Sequence, residues 1–367
     1  MKRIELKINT KTKKYSVIVG SNILKNFNKI CSKKKIIFEK SLIIIDKNVP
    51  NLLKKKLINN LKSKKKILYI FNANEKNKNF KSIRTIHQLL FKNKFNREDC
   101  IISFGGGITG DVAGFASSTF KRGLKFINIP TTLLAQVDSS IGGKTGINNE
   151  YGKNQIGSFY QPDLVISDTD LLYSLPFREI ICGYAEILKS SLIDSKKSFE
   201  YLDKNLKSIL KLKSSIIQKA IINSCNLKKK IIIKDEKEEN LRKVLNLGHT
   251  FAHAYEATLE YSKKLNHGEA VILGIKNAIR YSKQIKLLSK KNYTLINNHL
   301  DKIKIKHKFD QIFNVKDLNR ILKFMKLDKK NKSEKVNLIL IKSFGQIETN
   351  YQTNCNNIKK FLYQEFN

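Results

Sequence analysis

The chain has 367 residues, of which 71 are Lys or Arg and 31 Asp or Glu, giving a formal net charge of +40. Hydrophobic residues make up 41%, enough to bury the cores of two domains, and no run of about 18 apolar residues marks a membrane span. The charge would draw in anionic ligands over long range. The lysines are spread along almost the whole chain, without a basic tail, an RNA-binding signature or a zinc finger, so neither a nucleic-acid nor a membrane partner is expected. Cys31, Cys100, Cys182, Cys225 and Cys355 are odd in number and widely spaced, the pattern of reduced thiols in a cytoplasmic protein. Met1–Lys7 alternates like a strand and lacks the apolar segment of a signal peptide.

In chain order, Lys2–Ile8 and Tyr15–Val19 alternate as a strand pair around a polar turn. Ser41–Asp46, Ile67–Phe71, Cys100–Phe104 and Lys125–Pro130 are continuous apolar runs, which mark strands buried on both faces. Helical stretches such as Ile86–Lys94 lie between them, so the first half predicts a mostly parallel, doubly wound sheet.

The third of these apolar runs leads into Gly105-Gly106-Gly107-Ile108-Thr109-Gly110-Asp111. This contains Gly-x-Gly-x-x-Gly between a strand and a helix, where tight turning and free helix amides suit a pyrophosphate. A glycine turn of purely structural use would look the same. The acid that usually closes a dinucleotide site about 20 residues later is missing from Phe126–Pro130. A bound ribose would therefore be held differently, by Asp46 or Glu75. Next, Pro130–Gly146 and Gly152-Lys153-Asn154 combine small hydroxylated residues, glycines and lysines, which offer donors without bulk to phosphate and ribose.

From about Arg178 the strand pattern fades. Arg178–Ser191, Lys197–Lys211, Ser214–Lys230, Leu241–Leu259, Glu269–Lys283 and Asp317–Met325 read as helices, with a late apolar patch at Val336–Ile341 and a domain junction near Gln161-Pro162. His249 and His253 are four apart and share one helix face. With Asn266-His267-Gly268-Glu269 downstream and Glu186 upstream, a glutamate and two histidines from three segments would make an open, catalytic type of zinc site. Spacing alone does not decide which histidines bind. Glu186 and Lys189, three apart, would face the same way on their helix.

Taken together, Gly105–Asp111, Ile129–Gly146, Gly152–Asn154, Phe159–Pro162, Leu175–Glu179, Ala185–Lys189, Asp235-Glu236, Leu245–His253, His267–Val271 and Asp328–Lys330 resemble the motifs of the 3-dehydroquinate synthase family, within the sugar-phosphate cyclases. The resemblance runs over nearly the whole chain. It implies a Rossmann-like, mostly parallel NAD-binding α/β domain over 1–162. An all-helical metal- and substrate-binding domain would follow over 163–367, with the active site in the cleft between them. It further implies NAD, Zn2+ or Co2+, a homodimer, and a place in the shikimate pathway of aromatic amino-acid biosynthesis.

Carried over by residue, the resemblance implies a metal held by Glu186, His249 and His267, with His253 a catalytic-site histidine. Asp46, Glu75 and Lys78 would serve the adenosine ribose of NAD, and Gly107, Ile108, Thr109, Gly110 and Asp111 its pyrophosphate. Thr131, Thr132, Lys144, Lys153, Leu171, Leu172, Tyr173 and Ser174 would complete the cofactor's surroundings. Asp138, Lys144, Asn154, Lys189, Lys228, Arg242 and Asn246 would contact substrate, and Arg122 would reach the phosphate in a neighbouring subunit. Asn74, Ala252 and Tyr184 depart from the family pattern, where smaller residues are usual. None removes a group the chemistry needs.

The implied reaction converts 3-deoxy-D-arabino-heptulosonate 7-phosphate to 3-dehydroquinate and phosphate. It proceeds by transient oxidation at C5, phosphate elimination, re-reduction, ring opening and an intramolecular aldol step. Two alternatives share the residue pattern: a metal-dependent polyol dehydrogenase of the glycerol dehydrogenase type, and a related cyclase acting on another sugar phosphate.

Overall fold

The computed structural model describes residues 3–327 and 335–366; the Asp328–Lys330 motif lies outside the described residues. The chain forms two compact units, Met1–Ile180 with Lys207–Lys237, and Ile181–Leu206 with Glu238–Asn367. The division expected at residue 162 is contiguous, whereas packing returns 207–237 to the first unit.

The first unit is built on a seven-stranded sheet. Its order is β1 (Ile4–Asn9), β2 (Lys14–Gly20), β9 (Leu164–Asp168), β6 (Lys125–Pro130), β5 (Cys100–Gly105), β3 (Lys40–Asp46) and β4 (Lys65–Phe71). Only the β1–β2 pairing is antiparallel. Burial on both faces explains the apolar runs. Ile43 and Ile45 of β3 enter one core with Ile102, Phe104, Ile127 and Ile129, while Leu42 and Ile44 enter another with Ile101 and Phe126. Each such fully buried side chain contributes about 1.5–3 kcal/mol. The chain steps outward from β3 to β4 and then returns to place β5 on the other side of β3. That reversal makes a crevice at the C-terminal ends of β3 and β5, where a doubly wound sheet takes its ligand.

Helices α1 (Phe27–Lys33), α2 (Asn51–Asn60), α3 (Phe80–Lys92) and α4 (Gly107–Thr119) connect these strands, and β7 (Lys144–Asn149) pairs with β8 (Gly152–Phe159) as an antiparallel hairpin. In α3, Ile83, Ile86 and Leu90 are buried, the spacing of one helix face. Its start is capped by Asn79, whose side chain accepts the Ser82 amide at 3.1 Å. Neither β9 nor the hairpin is among the strands expected from sequence. Helices α5 (Phe177–Asp194) and α6 (Lys196–Leu210) run through the junctions of the units, and α7 (Ser214–Lys234) belongs to the first.

The second unit holds α8 (His249–Thr258), α9 (His267–Gln284), α10 (Lys290–Asp301), α11 (Phe309–Ile312), α12 (Leu318–Leu327) and α13 (Cys355–Tyr363). It also contains the antiparallel hairpin β10 (Lys335–Ser343) and β11 (Gln346–Asn354), which corrects the all-helical expectation to a mainly helical one. The apolar patch Val336–Ile341 is the buried strand of that pair. The helix expected over Leu241–Leu259 is interrupted: a 3-10 turn, Leu241–Asn246, precedes Gly248 at φ 79°. A side chain there would be strained, and its Cβ would lie 2.8 Å from the Ile275 amide nitrogen.

Candidate active site

In the first unit, β5 ends at Gly105 and α4 starts at Gly107, with Gly106 as an N-cap that offers no side-chain hydrogen bond. The first amides of this 13-residue helix therefore keep no capping partner of their own, the arrangement that receives an anion. A Cβ on Gly107 would come within 2.9 Å of Ser139 Oγ, so the glycine keeps this surface open. Thr109 Oγ1 is buried with no hydrogen-bond partner. The Thr131 amide donates to Gly105 O at 2.9 Å. Thr132 Oγ1 accepts from the Ala135 amide at 3.2 Å, starting the π-turn Ala135–Ser139 that carries Asp138.

Around this turn the charged candidates pair with one another. Asp46, at the end of β3, is pushed upward by burial, against the opposing Asn48 amide. Lys78, only 4% exposed, places Nζ 2.5 Å from Asp111 Oδ2 and donates to Asn154 Oδ1. Asp111 is raised by burial, with Lys78 opposing. Burial would also raise Glu75, but Lys153 at 3.1 Å, Asn148 at 2.7 Å and Lys78 together hold it below the ordinary carboxylate range. Lys228 Nζ lies 2.6 Å from both Asp138 Oδ1 and Asp138 O. The expected ribose, pyrophosphate and substrate sets thus interlock through Lys78, which bridges Asp111 of the glycine turn and Asn154 of the β7–β8 hairpin.

Other members of the expected sets are placed differently. Ile108 is partly buried on α4, and Gly110 is buried. Lys144 and Asn154 are exposed on the hairpin, Asn154 at φ 56°. Arg122 is exposed, with φ 64°, at the turn after α4. Leu171 and Leu172 are wholly buried, Leu171 within the sheet core, so only their backbone can meet a ligand. Tyr173 is exposed, its hydroxyl donating to Leu212 O at 3.4 Å, and Ser174 Oγ donates to Leu171 O at 3.0 Å.

In the second unit, three separate segments bring Glu186, His249 and His267 together, with one donor atom from each lying within 4.8 Å of the others. Glu186 sits in α5, 1% exposed, on a helix whose neighbours Tyr184, Ala185 and Leu188 are also buried. His249 and His267 are the first residues of α8 and α9. A capping box fixes the start of α9: Asn266 Oδ1 accepts the Glu269 amide at 2.9 Å, and Glu269 Oε2 accepts the Asn266 amide at 3.0 Å. Glu269 is therefore a cap. Gly268 permits close approach to α5, since its Cβ would lie 2.2 Å from Cys182 Cα.

The cluster's electrostatics follow from burial. His249 Nε2 and His267 Nε2 lie 3.5 and 3.7 Å from Glu186 Oε1, and Lys189 Nζ pairs with Oε2. Neither Glu186 oxygen has a hydrogen-bond partner. Burial would raise this carboxyl, but Lys189 and the two imidazoles hold it well below the usual range. Burial and Lys189 push His249 down to about 4, leaving a neutral ring at pH 7. For His267, burial opposes the charge, yet the Glu256 and Glu186 carboxylates raise it to about 10. This is a pocket that attracts positive charge, supplied by a proton or by a cation.

His253 shares the His249 face, with ring centroids 5.2 Å apart, but it is exposed and outside the three-donor group. The structure thereby separates two histidines that helical spacing leaves equivalent. Arg242 is buried in the 3-10 turn, and Asn246 Nδ2 donates to Glu238 Oε1 at 2.9 Å. Tyr184 has a structural use: its hydroxyl lies 2.7 Å from His299 Nε2, and His299 Nδ1 lies 2.7 Å from Asp203 Oδ1. Glu256, buried against His267, has no counterpart in the sequence reading. Its one signal is a position seven residues after His249.

Comparison with known proteins shows the fold and the family. The family model described as the 3-dehydroquinate synthase N-terminal domain matches residues 68–182, and that of the C-terminal domain matches 183–331. A 3-dehydroquinate synthase from Pelagibacter ubique is 56% identical over 362 residues, covering 99% of this chain and 98% of the relative. Among solved structures, a 2-deoxy-scyllo-inosose synthase complexed with carbaglucose-6-phosphate, NAD+ and Co2+ is similar at a TM-score of 0.89. It is 23% identical, covering 98% of this chain and 100% of that one. A 2-epi-5-epi-valiolone synthase from Streptomyces hygroscopicus with NAD+ and Zn2+ bound is similar at 0.83 and 21% identity, covering 96% of each chain. These two likenesses show the fold. Family models over most of the sequence and a full-length relative at 56% identity show that the chain belongs to the 3-dehydroquinate synthase family.

Proposed function

We propose that this chain is a 3-dehydroquinate synthase, converting 3-deoxy-D-arabino-heptulosonate 7-phosphate to 3-dehydroquinate and phosphate. The observation that carries the reading is the buried Glu186–His249–His267 cluster, whose carboxylate oxygens have no hydrogen-bond partner, in a chain that matches a synthase of this name along its full length. Lys189 pairs with one of these oxygens, and a bound cation would offset the cost of burying the carboxylate further. One carboxylate and two imidazoles are a donor set for Zn2+ or Co2+ with room for further ligands. The glycine turn fits NAD in the same way: bare helix amides, a surface that a Cβ at Gly107 would fill, and a buried unpaired Thr109 hydroxyl.

Bound NAD would supply hydride transfer, and a metal held by Glu186, His249 and His267 would supply Lewis acidity. The chain's own residues do the rest. Glu186, His249 and His267 would hold the metal, and Lys189 would balance Glu186. Asp46, Glu75 and Lys78 would serve the ribose side of NAD. Gly107–Asp111 would meet its pyrophosphate, with Thr131, Thr132, Lys153 and the Leu171–Ser174 backbone nearby. By the family resemblance, Lys144, Asn154, Asp138, Lys228, Lys189, Arg242, Asn246 and His253 would serve the substrate. A small molecule carrying a carboxylate and a phosphate needs several cations, and fixed cations also stabilise the enolate that develops at elimination. The departing phosphate can take the C6 proton itself, so no strong protein base is required. Arg122, exposed after α4, would serve the site of a second copy in a homodimer. Among the described residues no helix is long and apolar enough to cross a membrane.

A polyol dehydrogenase would have no use for the phosphate-directed set Lys144, Lys153, Asn154 and Arg242. The test is phosphate release from the heptulosonate phosphate with zinc and less NAD than enzyme. Many turnovers per NAD without lasting NADH absorbance are expected. NADH accumulating on a simple polyol, with no phosphate released, would overturn the reading. Release from sedoheptulose 7-phosphate or glucose 6-phosphate alone would move the chain to a related cyclase.

A further inference from the structure

We propose that Glu256 is a positioning residue of the metal centre, fixing the orientation and tautomer of His267 so that Nε2 presents its lone pair to the ion. The inference rests on the metal-site reading above. Glu256 lies on α8, seven residues and about two turns beyond His249, and therefore on the same face. It is 7% exposed, and its Oε2 is 3.0 Å from His267 Nδ1. An ionised carboxylate only accepts hydrogen bonds, so Nδ1 carries a hydrogen, and Nε2 is the nitrogen through which the ring would meet a metal ion. That atom faces Glu186 Oε1 at 3.7 Å.

His267 needs such an anchor more than His249 does. The His267 side chain is 31% exposed against 10% for His249, and an imidazole left to sample rotamers loses that freedom on ligation. His249 Nδ1 has only a neutral acceptor, Leu247 O, at 3.3 Å. The carboxylate-backed ring is the more basic ligand, and outer partners of this kind are worth about 10- to 100-fold in metal affinity.

The experiment measures the zinc dissociation constant by chelator competition on folded, metal-free protein, for the unaltered chain, Glu256→Gln and Glu256→Ala. Glu256→Ala should bind zinc about 10- to 100-fold more weakly. Glu256→Gln should fall between, because its amide oxygen still accepts the Nδ1 hydrogen. Co2+-loaded protein should show shifted d–d bands in both variants. A merely structural role would lower the melting midpoint of the metal-free chain and leave the zinc constant of folded protein unchanged, and that result overturns the proposal. If Glu256→Ala does not fold, Glu256→Asp replaces it, since its carboxylate is withdrawn by one methylene; undiminished affinity there overturns the proposal equally. An unaltered chain that takes up no zinc overturns the metal-site reading itself, whereas zinc uptake that is equal in all variants overturns this proposal alone.

Discussion

The two candidate regions solve opposite electrostatic problems. Around the glycine turn the charged side chains neutralise one another: Lys78 with Asp111, Lys153 with Glu75, Lys228 with Asp138. At the histidine cluster the balance is incomplete, because Glu186 is buried without a hydrogen-bond partner although Lys189 stands beside it. The first region is held in shape by its own pairs and offers bare backbone amides to an anion. The second is shaped by two helix starts and gathers a carboxylate and two imidazoles, with Lys189 paired to the carboxylate. Substitutions in the first should therefore disturb folding or binding while metal stays; those in the second should remove metal while the fold stays.

The largest effect is expected at the ligands. Glu186→Gln and His267→Ala should each lower zinc affinity by more than the roughly 100-fold ceiling of outer-partner changes, read by elemental analysis of purified protein. Full occupancy in both would refute the ligand set. Next, Lys144→Ala and Arg242→Ala should each lose about 100- to 1000-fold in turnover with zinc content unchanged. Near-normal turnover in either would remove that residue from the catalytic set.

A smaller effect, on stability, would separate paired from unpaired charge. Lys78→Met leaves Asp111 without its ammonium partner and should cost about 3 kcal/mol, the low end for breaking a buried pair, since Asp111 keeps some water contact. The double variant Lys78→Met with Asp111→Asn should recover part of it in urea unfolding. No coupling between the two would show that the pair contributes nothing. The smallest effect is on acid stability. Burial would raise Glu236, but Thr12 and Gln161 hydrogen-bond it and hold it below the usual carboxylate range. Its stabilisation is present above the ordinary carboxylate pKa of about 4.3 and is lost as pH falls through the lower folded value. Glu236→Gln should therefore show a shallower stability loss between about pH 5 and 3 than the unaltered chain, and an identical slope would contradict the assignment.

What could be read from the sequence depended on whether a signal was local. The apolar runs of β3, β4, β5 and β6 are local, and the sheet follows from them. β9 is a run of the same kind but follows Gln161-Pro162, which reads as a domain end. β11 pairs with the buried β10 and is too polar to be seen alone. Gly248 breaks a periodic helix pattern only because its φ is positive and α9 lies against it, which no periodicity reveals. At the candidate site the residue types and motif order were legible. Spacing alone did not divide His253 from His267, which only the family resemblance did, because the division depends on where the capping box sets the start of α9. Glu256 was invisible for a related reason: an acid on a helix looks solvated until its partner is known.

Binding of one catalytic metal by Glu186, His249 and His267 is tested by zinc stoichiometry combined with X-ray absorption on the zinc-loaded chain. The expected result is one zinc per chain, two imidazoles at about 2.0–2.1 Å with oxygen completing the shell, and loss of the ion in His267→Ala. A sulfur-ligated zinc, or one that persists unchanged in His267→Ala, would contradict it.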